Sequence, residues 1–268
     1  MLKKLLKYDF ASLLRYWWIA AIAALGFGAV GGLAVRVLSA EPAFPEAVNV
    51  LCGLTIGLCV VALSVFATLS FILVAVRFYK NFFTDEGYLT FTLPVKRSTL
   101  LNAKLLSGVS LQLLTGGVIL LAILIAAIVA TFGYVYEPEE LPVIPPTLLA
   151  FIPVYFLEGL ALIVLVCVSS QLFVYACITL GCLITRKAKV ITSIAIYYGA
   201  NQVFSFILQI LYLFGISGMT SWLMSTNIAH PEPLIALVLF GLILFLAMWC
   251  TVLYVLEYYM LDRKLNLT

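Results

Sequence analysis

The sequence predicts an all-α, polytopic integral membrane protein: six transmembrane helices, an N-terminal interfacial helix and both termini in the cytoplasm. Three observations carry this. Six apolar stretches, at 17–35, 50–76, 107–133, 148–184, 190–216 and 233–260, each reach the roughly 20 residues that cross a bilayer core. Hydrophobic residues make up 65 % of the 268 and charged residues 10 %, which leaves almost no material for a soluble domain. Fourteen of the fifteen Lys and Arg residues fall in alternate gaps between the stretches.

The charge pattern sets the topology. Lys3, Lys4, Lys7 and Arg15 precede the first stretch, and Arg77, Lys80, Lys96, Arg97 and Lys104 separate the second from the third. Arg186, Lys187 and Lys189 separate the fourth from the fifth, Arg263 and Lys264 follow the sixth, and Arg36 alone sits in another gap. Basic residues resist translocation, so these gaps face inward. Topology therefore accounts for the net charge of +3, which is no nucleic-acid signature. Six of the twelve acids (Glu41, Glu46, Glu137, Glu139, Glu140 and Glu232) fall outside.

The chain reads as a single transmembrane domain over 1–268. Within 1–16, Leu2, Leu5, Leu6, Phe10, Leu13 and Leu14 recur at helical spacing opposite Lys3, Lys4, Lys7 and Arg15. That pattern predicts an amphipathic helix in the inner interface before the chain turns into the bilayer, with Trp17 and Trp18 at headgroup level. The basic region is too long, and the apolar stretch too extended, for a signal peptide. Gly28 and Gly32 in the first span, and Gly53 and Gly57 in the second, have the small-xxx-small spacing that permits close helix approach.

The fourth stretch is longer than a bilayer needs, and Pro153 is expected to divide it, leaving an interfacial piece outside. The outer loop before it holds Pro138, Pro142, Pro145 and Pro146 and reads as irregular. Residues 215–232 form an outer interfacial or re-entrant element anchored by Trp222. The six cysteines show neither CxxC nor metal-ligand spacing and read as small packing residues.

Catalytic chemistry is missing from the pattern. There is no GxxxxGK[ST] phosphate loop, and the one histidine, His230, has neither a second ligand nor a nucleophile beside it. The chain reads as a non-enzyme with no cofactor and no metal of its own. Glu158 and Glu257 are the ionisable residues within spans, both toward span ends. Glu257, beside Tyr258 and Tyr259, reads as interfacial on the inner side. An acid inside a span is a functional candidate by default, so Glu158 is the candidate transport-path residue, against the bland reading of a carboxylate snorkelling outward.

The one sizeable inner loop is 77–106. Arg77 to Phe83 continue span two as a helix, Thr84 is placed to cap a new one, and Asp85 and Glu86 stand where a helix dipole favours acids. Gly87 follows, and Pro94 stops the element. Leu89, Phe91 and Leu93 alternate with threonines, so a strand stays open for this piece. Ser98 or Thr99 then caps a helix leading into span three.

The run RFYKNFFTDEGYLTFTLPVKRSTLLNAKLL at 77–106 resembles the cytoplasmic loop of small bacterial membrane subunits of type-2 ATP-binding-cassette exporters. The likeness extends to the six-span layout, the N-terminal interfacial helix and the short outer elements. By resemblance, Asp85, Glu86, Gly87, Tyr88, Phe91 and Pro94 belong to a coupling helix that docks on an ATPase. The resemblance implies a permease in the bacterial cytoplasmic membrane that pairs with a second permease, identical or homologous, and receives ATP energy from a partner chain. Three alternatives stay open. Loop 77–106 could rest on lipid headgroups through its basic residues; the protein could be a non-transporting scaffold, sensor or immunity protein; or it could be an ion-coupled carrier using Glu158.

The topology is directly testable. In a cysteine-free background, single cysteines at Asn49, Glu139 or Ser225 should react with impermeant thiol reagents on intact cells, and those at Ser98, Ala188 or Asn266 should not. Labelling at Ser98 from outside would overturn the six-span arrangement.

Overall fold

The computed structural model describes residues 2–40, 45–84, 96–132, 146–185, 187–211 and 232–264, with 87, 213, 218 and 221. Its six long helices are α1 (Leu2–Leu38), α2 (Glu46–Phe83), α3 (Arg97–Thr131), α4 (Pro146–Ile184), α5 (Lys189–Leu211) and α6 (Glu232–Tyr259). A π-helical turn, Met260–Lys264, follows α6. Each helix contains a segment long and apolar enough to cross a membrane, and no strand occurs among the described residues. The protein is a multi-pass, all-α membrane protein. The reason is the solvent: hydrocarbon offers no partner for a backbone amide, so each crossing segment must bond its own. Ile19, Leu58, Leu120, Phe156, Ile191 and Leu237, one from each helix, are exposed. Such surfaces suit lipid and not water.

Two expectations about helix ends are corrected. Residues 2–16 are not a separate interfacial helix, because α1 runs unbroken to Leu38. No Gly or Pro occurs between Leu2 and Leu25 to turn the chain. Pro153 does not divide the fourth stretch either, since it lies inside α4. A proline removes one backbone bond and crowds the turn before it, which a long transmembrane helix tolerates by local adjustment.

The described chain forms two compact units. The first comprises 1–78 and 102–141, and so contains α1, most of α2 and most of α3. Its centre is Trp17, which is buried among the helices. The indole N–H donates to Ser70 Oγ at 3.1 Å and Thr115 Oγ1 at 3.0 Å, joining α1 to α2 and α3. Both hydroxyls donate in turn to carbonyls of their own helices, Phe66 and Leu111, at 2.9 Å. Every polar atom of the cluster is thereby used, as burial in an apolar medium demands. Trp18, one residue on, is exposed.

The glycine pair of α1 finds its partner in the same unit. A Cβ on Gly28 would lie 2.5 Å from the Ala122 carbonyl oxygen, and one on Gly32 would lie 2.5 Å from that of Ala126. Four-residue spacing on α1 thus meets four-residue spacing on α3, backbone to backbone. Gly53 and Gly57 differ: a Cβ on either meets nothing within 4 Å.

The second unit comprises 79–101 and 142–268. Here α4 packs on α5 and α6. The short α4–α5 connection brings Ser193 against α4, and a Cβ on Gly181 would lie 2.6 Å from the Ser193 backbone nitrogen. Ser193 Oγ donates to the Ile178 carbonyl at 3.2 Å. Farther along, Phe173 meets Tyr197 with centroids 5.8 Å apart, and Phe204 stacks on Trp249 at 5.6 Å. All six cysteines carry free thiols, and Cys59, Cys177 and Cys250 are buried.

These contacts separate two kinds of glycine. Gly28→Ala should destabilise the fold by about 1–3 kcal/mol, the range for overpacking a close-packed site. Gly57→Ala should be neutral or stabilise by up to ~1 kcal/mol, because the alanine removes backbone freedom from the unfolded chain. Unfolding of both variants in detergent micelles or bicelles measures the difference; equal stability would contradict the close α1–α3 approach.

Candidate functional site

The candidate site is built on the segment between α2 and α3. α2 ends at Phe83, where the Thr84 hydroxyl donates back to the Lys80 carbonyl. Thr84 therefore closes α2, and its hydroxyl is engaged there instead of acting purely as the cap of a new helix. The Gly87 amide then bonds the Thr84 carbonyl at 2.7 Å. A Cβ at Gly87 would lie 2.7 Å from the Phe82 carbonyl oxygen, so the chain folds back too tightly for any side chain there. Of the residues assigned by resemblance to the coupling element, Gly87 is described. Asp85, Glu86, Tyr88, Phe91 and Pro94 lie outside the described residues.

α3 begins at Arg97, a residue or two before the expected caps Ser98 and Thr99. The Lys96 carbonyl accepts from the amides of Thr99 and Leu100 at 2.9 and 3.3 Å. The segment thus joins the end of α2 to the start of α3 in sequence. Its footings are packed, since Phe78, Phe82, Leu100 and Leu101 are all buried.

Within the second unit, Arg97 ties this footing to the end of α6. Its guanidinium Nη1 donates to the carbonyls of Leu261 and Asp262, each at 2.7 Å, and lies 3.6 Å from the Asp262 carboxylate. A helix terminus leaves carbonyls without intrahelical partners, and a cation there is favoured by the dipole as well. The π-helical turn at 260–264 is where those carbonyls are presented.

One turn back from that clamp sits Glu257, which is fully buried within the protein. Thr179 Oγ1, on α4, donates to its Oε1 at 2.6 Å, while Oε2 has no hydrogen-bond partner among the described residues. Gln171 and Tyr175 on α4 are buried as well. The pair fixes α6 to α4 at the level where α6 leaves its apolar stretch.

The first unit has its own buried charge. Asp9 on α1 and Lys104 on α3 are each 7 % exposed, and the ammonium donates to the Asp9 carboxylate. Arg77 on α2 stands 3.9 Å from the same carboxylate oxygen. Three helices therefore share one ionic contact. Arg77 lies six residues before the end of α2, and Lys104 lies seven after the start of α3.

Glu158, the candidate transport-path residue, lies in α4 and is half-buried. Its Oε2 is buried with no hydrogen-bond partner among the described residues. It stands on the same helix as Thr179, but 21 positions earlier and so about 30 Å away along the axis.

Sequence reasoning passed over Asp9, Lys104, Arg97 and the burial of Glu257. One signal was present for Asp9. It is the only acid in residues 1–40, and it shares the spacing of Leu13 and Trp17, two residues that point into the core. Nothing comparable marks Glu257, whose partner is 78 positions away.

Comparison with family models, curated proteins and solved structures returns no match to this chain.

The ionic contact makes a sharp prediction. Asp9→Ala should destabilise the protein by about 3–5 kcal/mol, because it leaves the Lys104 charge buried without its counter-ion. The double replacement Asp9→Leu with Lys104→Met should recover most of that loss. Chemical unfolding of the three proteins in the same detergent decides it, and an undisturbed Asp9→Ala variant would show that the contact carries no weight.

Proposed function

We propose that this protein is the membrane subunit of an ATP-driven exporter, coupled to a separate ATPase through segment 84–94 and working as a pair of membrane subunits. The observation that carries the reading is the way this segment is mounted. α2 has 38 residues and α3 has 35, lengths of about 57 and 52 Å at 1.5 Å per residue, against a hydrocarbon core of about 30 Å. Both helices are longer than a crossing requires, and segment 84–94 joins the end of one to the start of the other. That is the mounting needed by an element that receives force from a soluble motor.

The surroundings support the same reading. Gly87 makes the fold-back compact, and Arg97 links the footing of the segment to the end of α6. A push on 84–94 would pass through Arg97 to α6 and, through Glu257 and Thr179, to α4. The sequence at 77–106 resembles the coupling loop of type-2 exporter subunits in the bacterial cytoplasmic membrane, and the chain has no phosphate loop of its own. ATP would therefore be bound and hydrolysed by the partner.

The test is co-purification and coupled activity with the ATPase encoded nearest to this gene. Truncating an aromatic anchor in a packed interface costs about 2 kcal/mol or more, a weakening of roughly thirtyfold. Tyr88→Ala with Phe91→Ala should therefore lose the ATPase or uncouple hydrolysis from transport, with insertion and folding intact. Arg97→Ala should retain ATPase binding but lower transport per ATP hydrolysed. A Tyr88/Phe91 double variant with full complex yield and full coupling would sink the proposal.

A further inference from the structure

The ionic contact of the first unit is incomplete. Asp9 Oδ1 accepts from the Lys104 ammonium, and the same oxygen lies 3.9 Å from Arg77 Nη2. That distance is beyond hydrogen-bonding range, so the second cation is near the carboxylate without being bound by it. Two cations share one carboxylate, which leaves a positive charge unanswered. Two polar atoms are left over as well. Asp9 Oδ2 and Arg77 Nε are buried with no hydrogen-bond partner among the described residues, and Asp9 as a whole is 7 % exposed.

The two cations differ in access. Lys104 is buried and committed to Asp9. The Arg77 side chain keeps 36 % of its surface exposed and makes no hydrogen bond to another described residue. Its position in sequence gives the surroundings. Arg77 follows directly on the apolar stretch 50–76, and Lys104 comes three positions before the stretch 107–133. Where apolar stretches give way to charge is the level of phospholipid headgroups, and the exposed Tyr8 and Tyr16 of α1 suit the same level.

We propose that Arg77 and Asp9 form a binding site for an anionic phospholipid whose headgroup carries a hydroxyl. The phosphate accepts from the outward N–H groups of Arg77 and supplies the missing negative charge. A guanidinium presents its donors in a planar fork that matches two phosphate oxygens at once. The headgroup hydroxyl is donor and acceptor together, so it can answer both the carboxylate and the guanidinium that have atoms to spare. Arg77, half-exposed on a flexible stem, swings to admit it. The exposed Ile72 and Val76, in the turns of α2 just before Arg77, give the acyl chains an apolar surface. A choline headgroup has no net charge with its phosphate and no O–H or N–H, so it meets neither requirement. The site lies wholly within α1, α2 and α3, and it does not depend on the exporter reading.

The experiment uses the full chain in detergent, stripped of lipid. It is titrated with palmitoyl-oleoyl phosphatidylglycerol or with phosphatidylcholine of the same acyl chains, and bound lipid is counted by native mass spectrometry. Phosphatidylglycerol should bind at one per chain and about tenfold more tightly than phosphatidylcholine. Arg77→Gln should abolish that preference, and Lys80→Gln, at an exposed lysine one turn along α2, should keep it. Soluble glycerol phosphate at the same concentration should displace no lipid. On the native chain, phosphatidylglycerol should protect Arg77 from modification by phenylglyoxal and phosphatidylcholine should not, which decides the question if Arg77→Gln does not fold. Equal binding of the two lipids, a preference that survives Arg77→Gln, or an unprotected Arg77 would overturn the proposal. So would equal loss in Lys80→Gln, which would mark diffuse attraction to basic residues, or displacement by glycerol phosphate, which would mark a site for a soluble phosphate ester.

Discussion

The absence of water from the bilayer core governs this protein. A backbone amide there has no partner outside its own segment, so six stretches become six helices whatever their individual helix propensities. Val, Ile, Thr and Phe are frequent throughout and favour strands in water, yet the described residues contain none. The same constraint then acts on side chains. Ser70 and Thr115 donate to their own helices and still accept from Trp17, so three helices are joined without a stranded polar atom in the cluster.

Charges obey the rule with more strain. Asp9 and Lys104 neutralise each other in the first unit, and Glu257 takes a hydrogen bond from Thr179 in the second. Each contact joins helices far apart in sequence, and each sits near a helix end that leads to the connections rich in basic residues. Buried ionic contacts add little net stability compared with apolar packing. What they supply is a defined relation between helices.

Mechanical continuity is the feature that joins structure to proposed function. α2 and α3 extend well beyond the length a crossing needs, and the Arg97 clamp holds the start of α3 to the end of α6. A flexible connection would dissipate a push on segment 84–94. Both footings are helical and hold buried residues, so under the proposed function movement would pass to whole helices. Helices approach closely where Gly28 and Gly32 of α1 meet α3 and where Gly181 of α4 meets Ser193.

How much was legible beforehand follows from which forces are local. Apolar runs of about 20 residues, and basic residues in alternate gaps, respond to the bilayer and not to neighbouring helices, so the six crossings and the membrane location could be read directly. The small-xxx-small spacing at Gly28 and Gly32 announced a close contact, but only the folded chain selected Ala122 and Ala126 as its other side. Glycine at 53 and 57 has the same spacing and an open face. Tryptophan's preference for the headgroup level was legible at Trp17; its burial between helices depended on two hydroxyls 53 and 98 positions away. Pro153 looked like a break, and the long helix around it absorbed the loss. The burial of Glu257 became visible only once Thr179 was brought beside it. Composition and charge are properties of segments and decide where the chain goes in a membrane. Which side chains meet is a property of helix rotation and pairing, and that was settled only in three dimensions.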